Sequence, residues 1–293
     1  MRILLTLAVA IMSVRAAEVP KGVTPGNIRR DVCIESASLA MPRCYNVILP
    51  KGYDSAESRY PVLYLLHGYG DDHTAWSYMT NLSGYASHRK IIIVMPDGSR
   101  SWYVNSAADP KAKFEDFIVK DLVAHVDATY RTIPLPRSRA VAGLSMGGYG
   151  AAFIGIKHYK KFAAIGSFSG AVGFSRDTPP PPNTPPQNEA ARRRSVEMQA
   201  NFGAPGSEDR KARDPFELIE KVPMAEMPAL YIACGGQDFL LQQNRDFVAL
   251  LAKMKIPYEY REISPRAHTW DFWDDQVKVF LGFLKDLPGF KGI

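Results

Sequence analysis

Two rhythms of apolar and polar positions run along this chain. Residues 33–38 and 43–49 lie on either side of a short turn at 39–42 and predict an N-terminal hairpin. From residue 62 the pattern changes. Residues 62–66 (Val-Leu-Tyr-Leu-Leu) and 91–95 (Ile-Ile-Ile-Val-Met) are almost continuously apolar, as expected for strands covered on both faces. Residues 140–142, 163–168, 229–233 and 258–263 predict further strands. Between them, Phe117, Ile118, Leu122, Val126 and Tyr130 recur at helical spacing. A helix of small residues follows 140–142 and runs through Ile156, and 247–254 and 276–287 predict two more. Strands alternating with helices predict an α/β fold built on a mainly parallel, doubly wound sheet, to which the hairpin adds an antiparallel edge.

One stretch breaks the rhythm. Residues 178–186 contain six prolines, and polar sequence continues to about Asp214. Proline cannot supply ladder hydrogen bonds, so 178–214 is expected to be an inserted loop outside the core. It is either a lid over a site or a passive excursion.

The chain has 293 residues, 46% of them hydrophobic and 23% charged, which suits one α/β domain over residues 28–288. The N-terminus lies outside it. Met1 and Arg2 precede an apolar stretch from Ile3 to Val14, and Ala16 and Ala17 follow, the layout of a signal peptide over residues 1–16 cleaved after Ala16. A secreted or periplasmic protein is expected, with no membrane anchor. Removal of Arg2 and Arg15 with that segment lowers the net charge from +6 to +4. The single basic cluster, Arg192–Arg193–Arg194, is expected to be a solvated face, so no nucleic-acid partner is inferred. Cys33 and Cys44 flank the hairpin turn and are expected to form a disulfide in an oxidising compartment, although a register slip of one residue would forbid it. Cys234, with no CxxC partner, is expected to be a buried thiol and not a zinc ligand.

The chemistry is concentrated in a few short segments. Gly143-Leu144-Ser145-Met146-Gly147 is G-x-S-x-G, and it directly follows a short apolar strand and precedes a Gly/Ala-rich helix. That strand–turn–helix setting is what a nucleophile elbow requires, with Ser145 raised out of the sheet and a helix N-terminus behind it. A serine hydroxyl needs a base. In this architecture the order is serine, acid, histidine, and only His158 and His268 follow Ser145. His158 ends the helix that the serine begins, roughly 20 Å away at 1.5 Å per residue, so His268 is the expected base. Asp238, after a strand that ends in two glycines, is the expected orienting acid. Asp246 and Asp214 are weaker candidates because neither directly follows a strand. The backbone N–H groups of Met146 and of Tyr69, in the loop His67-Gly68-Tyr69-Gly70, are the expected oxyanion donors. His67 is expected to be a structural neighbour. Trp102, Tyr103, Trp270 and Phe272 are expected to offer an aromatic wall to substrate. No metal or cofactor is called for.

HGYGDD at 67–72, PDG at 96–98, GLSMGGYGA at 143–151, GGQDF at 235–239 and HTWDFW at 268–273 occur in an order that resembles the "Putative esterase" family of α/β hydrolases. That family includes esterase D-type enzymes, S-formylglutathione hydrolases, feruloyl and acetylxylan esterases, and mycolyltransferase antigens. The resemblance covers about residues 30–287 and implies the α/β-hydrolase fold. It also implies catalytic Ser145, Asp238 and His268 with oxyanion amides at Tyr69 and Met146. An export signal does not suit the formylglutathione hydrolases, and HGYG stands where the mycolyltransferases carry an aspartate-led loop. The reading is therefore an exported serine esterase acting on small or carbohydrate-linked esters such as feruloyl or acetyl esters. The alternatives are an acyltransferase of the same fold, or a non-catalytic carbohydrate-binding protein.

Overall fold

The computed structural model describes residues 27–176 and 189–293, so the signal-like residues 1–16 and the proline tract at 178–186 lie outside the described residues. The apolar runs form the centre of one eight-stranded sheet. Its strands are β1 (Ile28–Ser36), β2 (Met41–Ile48), β3 (Val62–Leu66), β4 (Ile92–Pro96), β5 (Arg139–Leu144), β6 (Ala164–Phe168), β7 (Ala229–Gly235) and β8 (Tyr258–Ile263). They lie in the order β1-β2-β4-β3-β5-β6-β7-β8. Strand β2 is antiparallel to both β1 and β4, and every other pair is parallel. This is the α/β-hydrolase arrangement, a mostly parallel sheet with an antiparallel N-terminal edge. Cys33 stands directly opposite Cys44 in the hairpin, and the two form a disulfide.

Every residue of β3 is buried, and alternate side chains serve opposite faces. Val62, Tyr64 and Leu66 join one apolar core, Leu63 and Leu65 the other. Helices cover both. After β3 come α1 (Ala75–Met79) and α2 (Leu82–Ala86). Next, α3 (Phe114–Asp116), a π-helical stretch (Phe117–Leu122) and α4 (Val123–Thr129) form one helical run. Helix α5 (Met146–Lys157) follows β5 and is buried along nearly its whole length. It and α9 (Leu241–Lys253) pack on the first core, and α10 (Trp270–Lys285) packs on the second. No helix among the described residues is long and apolar enough to cross a membrane.

Several boundaries differ from expectation. Helices α9 and α10 each begin six residues before the expected starts at 247 and 276. The first turn of α9 is rich in Gln and Asn and shows no apolar stripe of its own, whereas that of α10 is built on Trp270, Phe272 and Trp273 within the HTWDFW segment. The segment expected to be a loop to Asp214 instead holds α6 (Glu189–Phe202) and α7 (Glu208–Lys211), followed by α8 (Pro215–Ile219). Proline governs only its own neighbourhood, and good helix formers such as Glu, Ala, Arg, Met and Gln resume at Glu189.

Candidate active site

The chemistry-bearing residues lie just beyond the carboxyl ends of parallel strands, the edge at which open α/β sheets bind ligands. Ser145 follows β5 directly and has φ +52° and ψ −114°, a turn that ordinary side chains rarely adopt. The turn is tight. A Cβ on Gly147 would come within 2.4 Å of the Leu66 carbonyl oxygen, so only glycine fits there. Ser145 N–H donates to the Phe168 carbonyl of β6 (3.0 Å), and the Ser145 carbonyl accepts from Tyr149 N–H (3.0 Å) and Ala171 N–H (3.1 Å). The backbone that carries the hydroxyl is thus held from two elements.

His268 and Asp238 arrive from neighbouring loops that interlock. A Cβ on Gly235, at the end of β7, would strike the Arg266 carbonyl oxygen at 2.4 Å, which explains why the strand ends in glycine. Gln237 N–H donates to that same oxygen (2.8 Å) and Gly236 N–H donates to the Ile263 carbonyl (2.9 Å). Within this frame Ser145 Oγ lies 3.0 Å from His268 Nε2, and His268 Nδ1 lies 2.8 Å from Asp238 Oδ2. The other carboxylate oxygen of Asp238 accepts from Leu240 N–H at 2.8 Å. Burial alone would raise the Asp238 carboxyl. The hydrogen bond from His268, with help from Ser169 and the Leu240 amide, outweighs burial and holds it below the usual carboxylate range. An ionised Asp238 accepts Nδ1–H and leaves Nε2 free to take the serine proton. Trp273 meets the His268 ring edge-on at 4.8 Å, and the largely exposed Phe239 ring lies 4.6 Å away.

An open cavity of about 390 Å³ fronts the pair Ser145 and His268, with Gly68, Tyr69, Asp71, Trp270 and Trp273 among its walls. Tyr69 follows Gly68 in the loop after β3, and a Cβ on Gly68 would be 3.8 Å from that of Ser145. Met146 opens α5. His67 is buried between two loops, where Nε2 accepts from Gly98 N–H (2.9 Å) and Nδ1 pairs with the Gly68 carbonyl (2.8 Å).

The structure corrects one expectation and enlarges another. Phe272 is buried in the core, and Trp102 and Tyr103 do not form a wall for substrate, being only 2% and 0% exposed. Each has φ +58°, and both rings pack inward. Trp102 stacks on Phe174 (4.9 Å) and also meets Tyr69 and Phe202, while the Tyr103 hydroxyl donates to the His67 carbonyl (3.1 Å). They support the Tyr69 loop from below. Trp270 does line the cavity, joined by Trp273 and Asp71, which sequence reasoning missed. Trp273 stands one helical turn after Trp270, and Asp71 lies within HGYGDD, so proximity to those motifs was the available signal. The other acids and histidine lie elsewhere. Asp214 caps α8, Asp246 accepts from Gln242, and His158 pairs with Glu115 at 2.7 Å. Cys234 is fully buried, and burial pushes its thiol up to about 12.

Comparison with known proteins agrees with this architecture. The family model described as "Putative esterase" matches residues 36–284. An acetyl esterase of Caldicellulosiruptor saccharolyticus is 29% identical over 222 residues, covering 73% of this chain and 79% of the relative. The substrate-bound structure of fluorophosphonate-binding serine hydrolase F from Staphylococcus aureus superposes with a TM-score of 0.74 at 26% identity, covering 89% of this chain and 98% of that one. A ferulic acid esterase structure gives 0.66 at 28% identity, with the same coverage of 89% and 98%. The chain belongs to the esterase family of α/β hydrolases, whose activity is carboxylic ester hydrolysis.

Proposed function

We propose that this protein is an exported serine esterase that works through an acyl-enzyme on Ser145. The observation that carries the reading is the unbroken path from Ser145 Oγ to His268 Nε2 (3.0 Å) and from His268 Nδ1 to Asp238 Oδ2 (2.8 Å) at the wall of an open cavity. In the first half-reaction Ser145 Oγ bonds to the ester carbonyl carbon while its proton passes to His268 Nε2. The resulting oxyanion is stabilised by the Tyr69 and Met146 amides, and Met146 adds the N-terminal end of α5. The C–O bond to the alcohol then breaks and His268 returns the proton to the departing oxygen. Water repeats the sequence on the acyl-enzyme, releasing the acid and regenerating the serine. Asp238 stays ionised throughout, fixing the histidine tautomer.

Small acyl or aromatic acyl groups, acetyl and feruloyl, are the substrates we favour, carried on a carbohydrate alcohol. Trp270 and Trp273 give the cavity an aromatic wall, and the relatives include proteins named acetyl esterase and ferulic acid esterase. Export is supported by the leader-like residues 1–16 and by the Cys33–Cys44 disulfide, a bond that persists in oxidising compartments. A panel of p-nitrophenyl acetate, methyl ferulate and acetylated xylan tests the reading, with Ser145→Ala as control. The expected result is turnover by the wild type alone. Equal turnover by Ser145→Ala would move the nucleophile elsewhere, and products appearing on an added alcohol in place of water would make the protein an acyltransferase.

A further inference from the structure

Asp71 places a carboxylate inside the reaction cavity. The residue is half-buried two positions after Tyr69, and it shares the cavity wall with Ser145 and His268. A Cβ on Gly68 would stand 2.9 Å from Asp71 Oδ2, so the carboxylate lies directly against the loop that carries the Tyr69 amide. Its own N–H donates back to the Gly68 carbonyl at 3.2 Å, which closes the turn. No arginine or lysine among the described residues neutralises it: the Gly68 amide and His67 favour its charge, and Asp72 opposes it. Burial is the largest influence on its carboxyl and raises its pKa, as expected for a negative charge with too little compensation. The adjacent Asp72 differs. It is exposed and is occupied by the Thr74 amide (2.8 Å) and hydroxyl (2.6 Å).

The Gly68 amide satisfies only part of this carboxylate, and a negative charge in the cavity wall opposes the oxyanion that the reaction develops. Its use must lie in what it admits. Apart from His268, Asp71 is the only titratable carboxyl or base on that wall among the described residues. We propose that Asp71 is a specificity-determining residue that excludes esters carrying a negative charge close to the scissile carbonyl and leaves the site to neutral esters. This rests on the reading of Ser145 as the acylated residue. Like charges brought together in a partly desolvated cavity repel strongly, whereas a neutral acyl group of the same length feels little of that field. A hydroxyl on a neutral substrate also finds an acceptor in Asp71.

The test compares two p-nitrophenyl esters of matched chain length, the butyrate and the hemisuccinate, which differ by one terminal carboxylate. The readout is the hemisuccinate-to-butyrate ratio of kcat/KM, so a general loss of activity in a variant cancels. Asp71→Asn keeps the shape and the acceptor oxygen and is expected to raise the ratio about tenfold or more. Asp71→Glu keeps the charge and should leave the ratio low. Should Asp71→Asn fail to fold, Asp71→Ser carries the same test. A ratio unchanged by both neutral variants, or raised equally by Asp71→Glu, overturns the proposal. If the folded wild type cleaves neither ester, the acyl-enzyme reading itself falls and takes this proposal with it. Activity on butyrate alone, with no change of ratio in the variants, rejects only the role of Asp71.

Discussion

The proposed reacting groups and the segment after β6 are held in the protein by different means. Ser145 and Asp238 project from turns at the ends of the buried strands β5 and β7, His268 from the loop after the edge strand β8, and the backbone around them is bonded from several elements at once. The inserted region is fastened more locally. Its helix α6 is tied by its last turn, where Ala200 and Asn201 carbonyls accept from Ala108 N–H (3.0 Å) and Ala107 N–H (3.2 Å). Phe202 plugs into the aromatic core beside Trp102 and Tyr149, at 5.6 and 5.4 Å between ring centres. Toward its start Glu189, Arg192, Arg193 and Ser195 are polar and exposed. Chemistry is thus mounted where the backbone has least freedom, and the insertion is mounted where sequence can vary without disturbing the sheet.

The sharpest way to break this division is at its rigid half. Ser145→Ala and His268→Ala should each lower kcat on p-nitrophenyl acetate by about 10⁴-fold or more, with the double variant scarcely worse than either single one. Multiplicative losses in the double variant would show two residues acting independently. Asp238→Asn should follow with a fall of up to ~10⁴-fold, because an amide can donate to Nδ1 and stabilise the wrong tautomer. Its circular dichroism should match the wild type. A loss of folded signal would mean that Asp238 holds the β7 turn together through Leu240 more than it orients the histidine.

Much of the rigid half was legible in the sequence because it depends on local rules. A nucleophile elbow needs glycine next to Ser145, and a strand buried on both faces must be nearly all apolar, as β3 and β4 are. Chain order then left one histidine and one well-placed acid. The rest depends on contacts between distant residues. Nothing local distinguishes Trp102, buried beneath the Tyr69 loop, from Trp270, which faces the cavity. Only the packing of Phe174 and Phe202 separates them. Asp71 and Asp72 look alike in a polar turn, and tertiary structure alone turns one inward. Helix α6 was hidden by the prolines before it.

The insertion's far end gives a smaller effect, expressed in stability. Asp214 caps α8 by accepting from Phe216 N–H (3.0 Å), and Arg176 is 3.4 Å away, yet burial outweighs both and raises its pKa to about 6. An ordinary unfolded aspartate titrates near ~3.9. Between these values the folded protein keeps a proton that the unfolded chain has lost, so stability should fall as pH rises from about 4 to about 6. The loss attributable to this group is on the order of 2 kcal/mol. Asp214→Asn preserves the cap and should flatten that part of the profile in urea denaturation. An unaltered slope would assign the pH dependence to other groups.

The smallest expected effect lies where the two regions touch. The Tyr69 hydroxyl donates to Glu197 on α6, across 128 positions of sequence, and Arg100 sits 5.2 Å from the centre of the Tyr69 ring and 3.8 Å from the Glu197 carboxylate. This cluster joins the insertion to the residue whose amide we place in the oxyanion hole. The side chains are partly exposed, so water competes for every bond, and a link of this kind contributes about 1 kcal/mol or less. Glu197→Gln and Tyr69→Phe are therefore each expected to reduce kcat/KM only about two- to fivefold. The reduction should be greater for feruloyl esters, whose acyl group is longer, than for acetyl esters. The double variant should lose little more than either single one, since both remove the same bond. A hundredfold loss on every ester from Glu197→Gln would erase the division, because α6 would then be holding the oxyanion loop in its working position. No change on any ester would leave the insertion as a passenger at this contact, with the sheet alone setting the geometry of Tyr69.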